Sequence, residues 1–375
     1  MVGAQLGYGL VWALVFSILS TCIVQEMASR LGLVTGKGLS ENIVQNIENK
    51  GARGASIILI CCAIGLGNAA YEGGNITGAA LGLSTVLPGQ LETWAVVLGA
   101  CALVLLLSNR YHLLEKVLIA LVVIMSLVFI IIMFIAGIEL SLLKQGLGSL
   151  AGFSNTALLL AIIGTTIVPY NLFLHAGLSA KHANKSKSVS IKPNQLRRHR
   201  HQLFASIGIG GLITFAIMSS AVSAFYVTQT QLAPGNIANQ LQPVLGDYAN
   251  LFFAMGLFSA GLTSAITAPL ATSYALCGLF NQTPDLSSTP FKLVSAAIVI
   301  LGTSVALSGF KPLSIIILAQ ASNAILLPIS VVFLLYMMNK AKIMGSHRNS
   351  FASNTLGGLV LITVVALGLY KLISL

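Results

Sequence analysis

Apolar residues gather along this chain into ten blocks near 20 residues long, at 4–28, 55–83, 91–108, 117–138, 156–178, 203–226, 248–280, 291–308, 313–338 and 355–373. About 20 helical residues, rising 1.5 Å each, cross the ~30 Å hydrocarbon layer of a bilayer. Each block is therefore predicted to be a membrane-spanning helix. Four blocks carry polar or helix-breaking residues at what would be membrane depth, where such groups are costly unless they face a cavity or a neighbouring helix. The fifth, "LAIIGTTIVPYNLFLHAGLSAKH", holds Thr165, Thr166, Pro169, Tyr170 and Asn171 at its middle. The second, "GLGNAAYEGGNITGAALGL", places Glu72 in a glycine-rich run with Asn75 three residues on. The seventh, "SAGLTSAITAPLATSYALCG", is rich in small and hydroxyl side chains and is expected to break at Pro269. The ninth, "ILAQASNAILLPISV", sets Gln320 and Asn323 on one face above Pro328.

Each interruption has two readings. Pro169 lacks an N–H and frees a carbonyl one turn earlier, so the fifth block either offers backbone oxygens to a cation or is a proline kink buried against neighbours. Glu72 lines an ion or proton path, or it is a neutral, hydrogen-bonded structural acid. The small residues of the second and seventh blocks serve tight helix packing or a ligand. The amide of Gln320 coordinates a hard cation through its carbonyl oxygen or bonds a neighbouring helix. His175 reads as an interfacial histidine, and Glu26 with Arg30 as an interfacial pair at a helix end.

Of the 375 residues, 56% are hydrophobic and 8% charged, which is the composition of a multi-span membrane protein. The formal net charge of +11 does not point to nucleic acid, because the basic residues sit between apolar blocks. Seventeen of the 20 Lys and Arg residues fall in the connections after the first, third, fifth, seventh and ninth blocks, leaving Lys144, Lys311 and Lys371 for the other side. Basic loops stay in the cytoplasm, which puts these five connections inside and the N-terminus outside. An outside N-terminus would be natural if another span preceded Met1, and such a span is expected. The longest polar stretch, 181–202, "KHANKSKSVSIKPNQLRRHRHQ", is predicted to be a basic cytoplasmic loop that fixes topology and meets anionic lipid head groups, with regulatory binding as the alternative. The first block is too long for a secretory signal and lacks a basic leader. The five cysteines lie inside blocks without metal-finger or disulfide-framework spacing. Residues 1–375 thus read as one integral membrane domain. No Ser-His-Asp grouping, metalloprotease helix or phosphate-cradling loop argues for an enzyme.

Together these residues resemble a family, the Nramp divalent metal transporters (natural resistance-associated macrophage proteins). "AIIGTTIVPYNLFLHAG" is similar to the family's sixth helix, with its signature Ala-x-x-Met-Pro-His-Asn-Leu followed by Leu-His. "EMASRLGLVTGKGLSENI" is similar to the end of the second helix, where Leu-Gly-x-x-Thr-Gly-Lys recurs. "AGLTSAITAPLA" resembles the eighth helix pattern Ala-Gly-Gln-Ser-Ser-x-x-Thr-Gly, and "AQASNAILLP" the tenth. The resemblance makes the ten blocks family helices two to eleven. The family's first helix, whose Asp-Pro-Gly-Asn break supplies two metal ligands, is not represented in the chain.

The resemblance implies an all-α, inverted-repeat, broken-helix transporter that moves a divalent cation (Mn²⁺, Mg²⁺ or Fe²⁺) by alternating access at a midplane site. The cation is cargo and no cofactor is expected; the bilayer is the other partner, and the plasma membrane of a bacterium is the expected location. Carried over by motif, Thr165 stands where the family has an alanine carbonyl ligand, Val168 where it has a methionine ligand, and Tyr170 where it has a histidine. Glu72 and Asn75 replace an Asp-x-x-Glu, and no arginine lies in the eighth block. Losing a thioether and gaining a hydroxyl favours a harder ion such as Mg²⁺ or Mn²⁺ over Fe²⁺, as in the family's magnesium-transporting branch. The site expected is Thr165, Val168 and Gln320 around the metal, with Glu72, Asn75 and Tyr170 on the ion or proton path. Two alternatives stay open: a transport-inactive structural or regulatory membrane protein, and an organic-solute symporter of the same fold.

Overall fold

The computed structural model describes residues 1–108, 111–148, 155–185, 193–232, 238, 242, 246–282 and 284–373. Every long regular element among them is helical. In chain order these are α1 (Val2–Leu6), α2 (Val11–Thr35), α3 (Leu39–Asn46) and α4 (Lys50–Ile60), which passes through a π-helical turn at Cys61–Leu66 into α5 (Gly67–Ser84). There follow α6 (Leu91–Leu107), α7 (Tyr111–Ala136), α8 (Leu140–Leu147), α9 (Thr156–Thr166), α10 (Pro169–Lys185) and α11 (Pro193–Ala221), the last ending in a second π turn, Val222–Tyr226. The chain closes with α12 (Ala249–Leu279), α13 (Thr289–Ala306), α14 (Pro312–Asn339), α15 (Ala341–Met344) and α16 (Phe351–Ile373).

Nine stretches among the described residues are long and apolar enough to cross a membrane, and α6, at 17 residues, is a shorter apolar helix. All ten predicted blocks are therefore helical, and the chain is a multi-pass membrane protein. Local signals set several ends. Gly36, in the left-handed region at φ 63°, donates its N–H to the Gly32 carbonyl and stops α2. Asn49 caps α4 by accepting from the Ala52 N–H at 3.0 Å, and Asn155 caps α9 by accepting from Leu158 at 3.2 Å.

The prolines part company with the sequence expectation. Of the three proline-bearing blocks only the fifth is broken; α12 runs unbroken through Pro269, and α14 through Pro328. Proline is tolerated inside a spanning helix when neighbours hold it. In α12 they do so on both sides of Pro269. Gly261 lies against Ala79 of α5, and the Asn68 side-chain amide of α5 donates to the Thr272 hydroxyl at 2.6 Å. The basic segment 181–202 is divided: 181–185 end α10, 193–202 begin α11, and 186–192, with Lys187 and Lys192, lie outside the described residues, as does Arg110.

At the ends of α2 and α11, Glu26 and Arg30 form the expected pair at 3.1 Å, and a wider network surrounds them. Arg200 of α11 reaches the other Glu26 oxygen at 2.7 Å. Arg30 also donates to the His347 carbonyl at 2.7 Å and to Asn349 Oδ1 at 2.8 Å, tying α2 to the link between α15 and α16. The Arg30 side chain is buried. Removing one partner from a buried, hydrogen-bonded ion pair strands the rest at a cost of about 3 kcal/mol. Arg30→Ala is thus expected to lower the melting temperature of the purified protein by several degrees, read by heating followed by size-exclusion chromatography; an unchanged melt would show the network to be marginal.

Candidate functional site

In α9 the backbone repeats i to i−4 hydrogen bonds until Ile167, whose N–H still reaches the Ile163 carbonyl at 2.8 Å. The chain then leaves the helix. Ile167 takes φ −103° and ψ 87°, and helix resumes only at Pro169. A proline at 169 has no N–H for the carbonyl four residues earlier, which is that of Thr165. The two neighbouring carbonyls have side-chain partners. Thr21 of α2 places its hydroxyl 3.2 Å from the Thr166 oxygen while also donating to Ser17 at 2.7 Å, and the Asn323 amide of α14 lies 3.5 Å from the Gly164 oxygen. The Thr165 carbonyl has no hydrogen-bond partner among the described residues. Thr165 itself is exposed in the middle of a run that is otherwise mostly buried.

What Thr165 faces is a cavity of about 420 Å³. Tyr71, Gly74, Asn75 and Gly78 of α5 line one wall, at the i, i+3, i+4, i+7 spacing of a single helix face. Ser264 of α12, Met218 of α11 and Gln320 of α14 line others. Gln320 is brought to Thr165 by a close approach of backbones. Gly164 lies directly against the Gln320 carbonyl oxygen and within reach of the Ala324 nitrogen, a contact that leaves no room for a side chain. The Gln320 Oε1 atom is buried without a hydrogen-bond partner, as is Asn323 Oδ1. Leaving a buried acceptor unmade costs about 1–3 kcal/mol, so two such oxygens near one helix break ask for a ligand.

Of the residues expected from the sequence, Thr165, Gln320 and Asn75 line this cavity. Val168 and Tyr170 do not. Both are buried beneath the break, and the Tyr170 ring packs 5.7 Å from that of Tyr71, the residue that does reach the cavity. Glu72 stands one step back. It is fully buried, with its Cβ and Cγ fitted against Gly302 of α13, and its Oε2 accepts from the Asn75 amide at 3.2 Å while Oε1 has no partner. Glu72 thus touches the cavity through Asn75. Tyr71, Ser264 and Met218 were not singled out from the sequence. The helical spacing of Tyr71 with Gly74 and Gly78 was a readable sign of it; Met218 sits in an ordinary apolar run and gave none.

No group of three or more His, Cys, Asp or Glu side chains among the described residues is placed to hold a metal ion. The donors at this cavity are neutral instead: oxygens from a backbone carbonyl, hydroxyls and amides, which suit hard cations, and the thioether of Met218, which is softer.

A family model described as natural resistance-associated macrophage protein-like, Nramp, matches residues 1–374. The chain belongs to the Nramp family. Among Nramp relatives, the divalent metal cation transporter MntH of Acidiphilium cryptum is 28% identical over 367 residues, covering 96% of this chain and 82% of that protein. MntH of Pectobacterium carotovorum is 26% identical over 385 residues, covering 99% and 88%. The fold is that of the Eremococcus coleocola manganese transporter, solved by crystallography in complex with an aromatic bis-isothiourea substituted compound. That structure gives a TM-score of 0.76 at 20% identity, over 99% of this chain and 81% of that one. A variant of the same transporter gives 0.77.

Proposed function

We propose that this Nramp chain carries a divalent metal cation across the membrane by alternating access, with the cation taken at the α9–α10 break. The observation that carries the reading is the pairing of the Thr165 carbonyl, unpaired because Pro169 has no N–H, with the unpartnered Gln320 oxygen at one cavity. The divalent cation transport named for the MntH relatives supports it. The oxygens of Thr165, Asn75, Ser264 and Gln320 favour Mg²⁺ or Mn²⁺, and the Met218 thioether on the same cavity wall keeps Fe²⁺ among the ions to be tested.

The side of access follows from where the lining residues sit. Along the membrane-crossing stretches Lys50–Ser84, Thr156–Asn184, Leu196–Tyr226, Gly246–Leu279 and Pro312–Asn339, the lining residues lie at the middle or in the half remote from the basic segments, and none comes from α2 or α10. With basic segments in the cytoplasm, the cavity belongs to the outer half of the protein. On the inner side α2 and α10 are packed together, with Gly32 directly against the Ala176 carbonyl and the Ser29 and Ser179 hydroxyls 2.9 Å apart. Transport then requires this inner contact to open and the outer cavity to close.

The test is uptake of Mg²⁺, Mn²⁺ and Fe²⁺ into proteoliposomes by the wild type and by Gln320→Leu. The variant removes a ligand oxygen and also a buried unpartnered acceptor, so uptake is expected to fall at least tenfold while the melting temperature holds or rises. Uptake unchanged by Gln320→Leu would remove Gln320 from the site. A wild type that moves none of the three ions would end the transport reading, and one that moved an organic solute instead would favour a symporter of the same fold.

A further inference from the structure

The start of α11 carries Arg197, Arg198, Arg200 and His201, and the end of α10 beside it carries Lys181 and His182. The rings of His182 and His199 meet edge to face at 5.7 Å, which makes the two helix ends one surface. Its charge is almost unopposed. No Asp or Glu occurs between Glu139 and Asp247, and Glu26, which reaches in from α2, is already held by Arg200 and Arg30. Asp285, in the α12–α13 connection, interacts with Lys181. Arg197, Arg198 and His201 remain exposed. Three arginines within four residues repel one another, so helix stability does not account for them. Their depth is informative. The apolar membrane-crossing stretch begins at Leu196, which puts these residues at its rim, and Phe204 is exposed one to two turns further in.

We propose that this surface binds the head group of an anionic phospholipid, with its phosphate held by Arg197 and Arg198 and its acyl chain lying over Phe204. A lipid, not a soluble phosphate, fits because the cationic rim and the apolar face are continuous along one helix. Since His199, next to Arg198, packs on His182 of α10, the second half of the broken helix, a lipid seated on the start of α11 bears on a moving part. That consequence for transport rests on the function proposed above; the binding itself does not.

The binding is tested on the purified full chain by native mass spectrometry, with phosphatidylglycerol or phosphatidylcholine added. Phosphatidylglycerol is expected to stay bound to the wild type and to Lys342→Gln, whose side chain is exposed elsewhere among the same group of basic connections. In Arg197→Gln/Arg198→Gln its retention is expected to drop about tenfold. Equal retention by the double variant would overturn the site, as would complete displacement by inorganic phosphate, which would make the occupant a soluble anion. In vesicles, Mn²⁺ uptake by the wild type is expected to rise several-fold when phosphatidylglycerol replaces part of the phosphatidylcholine, and the rise is expected to vanish in the double variant. A rise that persisted in the double variant would overturn the coupling to α10. Wild-type vesicles taking up no cation in any lipid would instead overturn the transport reading and leave the mass spectrum to decide the lipid site.

Discussion

Gly164→Ala is expected to lose both stability and transport. A methyl group there collides with the Gln320 carbonyl and crowds the Ala324 nitrogen. Both are backbone atoms, so no side-chain rotation relieves the clash. Overpacking of this kind costs about 1–3 kcal/mol or more, and the only relief is for α9 and α14 to part. Parting them withdraws Thr165 from Gln320, so cation uptake should fall to below about a tenth of wild type even where the variant folds, since sites of this kind lose activity with displacements near 1 Å. Gly208→Ala in α11 is the control, because an added methyl there meets open space. It should leave uptake unchanged and hold or slightly raise the melting temperature, as alanine is the better helix former by up to about 1 kcal/mol. Wild-type uptake by Gly164→Ala would show that this contact does not position the site.

Replacing Glu72 separates its two readings. If the carboxylate supplies a charge that draws or relays cations, Glu72→Gln should reduce uptake about tenfold, the effect of losing roughly 1.4 kcal/mol of attraction across a partly screened interior. The melting temperature should barely move, because glutamine fills the same niche against Gly302 and keeps an oxygen for the Asn75 amide. A purely structural acid predicts uptake within about twofold of wild type in Glu72→Gln. Glu72→Ala, which empties a fully buried position, should destabilise by about 2–4 kcal/mol under either reading, so only the glutamine variant discriminates.

The hydrophobic pattern carried most of the fold because lipid enforces it: a spanning segment has to be about 20 residues, apolar and helical. Ten blocks became ten helical stretches for that reason. Proline was less legible. Pro169, Pro269 and Pro328 look alike in sequence, yet only the first coincides with a break. What separates Pro169 is the set of partners for the carbonyls around it, contributed by Thr21 and Asn323 from helices distant in the chain. No local pattern reports such partners. Thr165, Gln320 and Asn75 could be picked out because a polar group in an apolar run is conspicuous. Tyr71 was legible only through its helical spacing with Gly74 and Gly78, and Met218 not at all, since a thioether in a spanning helix is ordinary. Glu72 was conspicuous too, but its set-back position behind Asn75 depends on Gly302, on a helix that nothing in the glycine-rich run points to.

The neutrality of the oxygens around Thr165 and Gln320 also sets what can drive the cation. A peptide carbonyl and a carboxamide bind no proton in the physiological range, so a cation loading onto them displaces none, unlike one captured by carboxylate or imidazole ligands. Under the function proposed here the ion would cross with both positive charges uncompensated. Each charge moved through 100 mV is worth about 2.3 kcal/mol, so a resting bacterial potential, negative inside, would contribute about 4.6 kcal/mol per 100 mV to uptake. Where Glu72 is a structural acid, import through such a site would follow voltage and be indifferent to the pH difference across the membrane; where it relays protons, a pH dependence would be added and lost in Glu72→Gln.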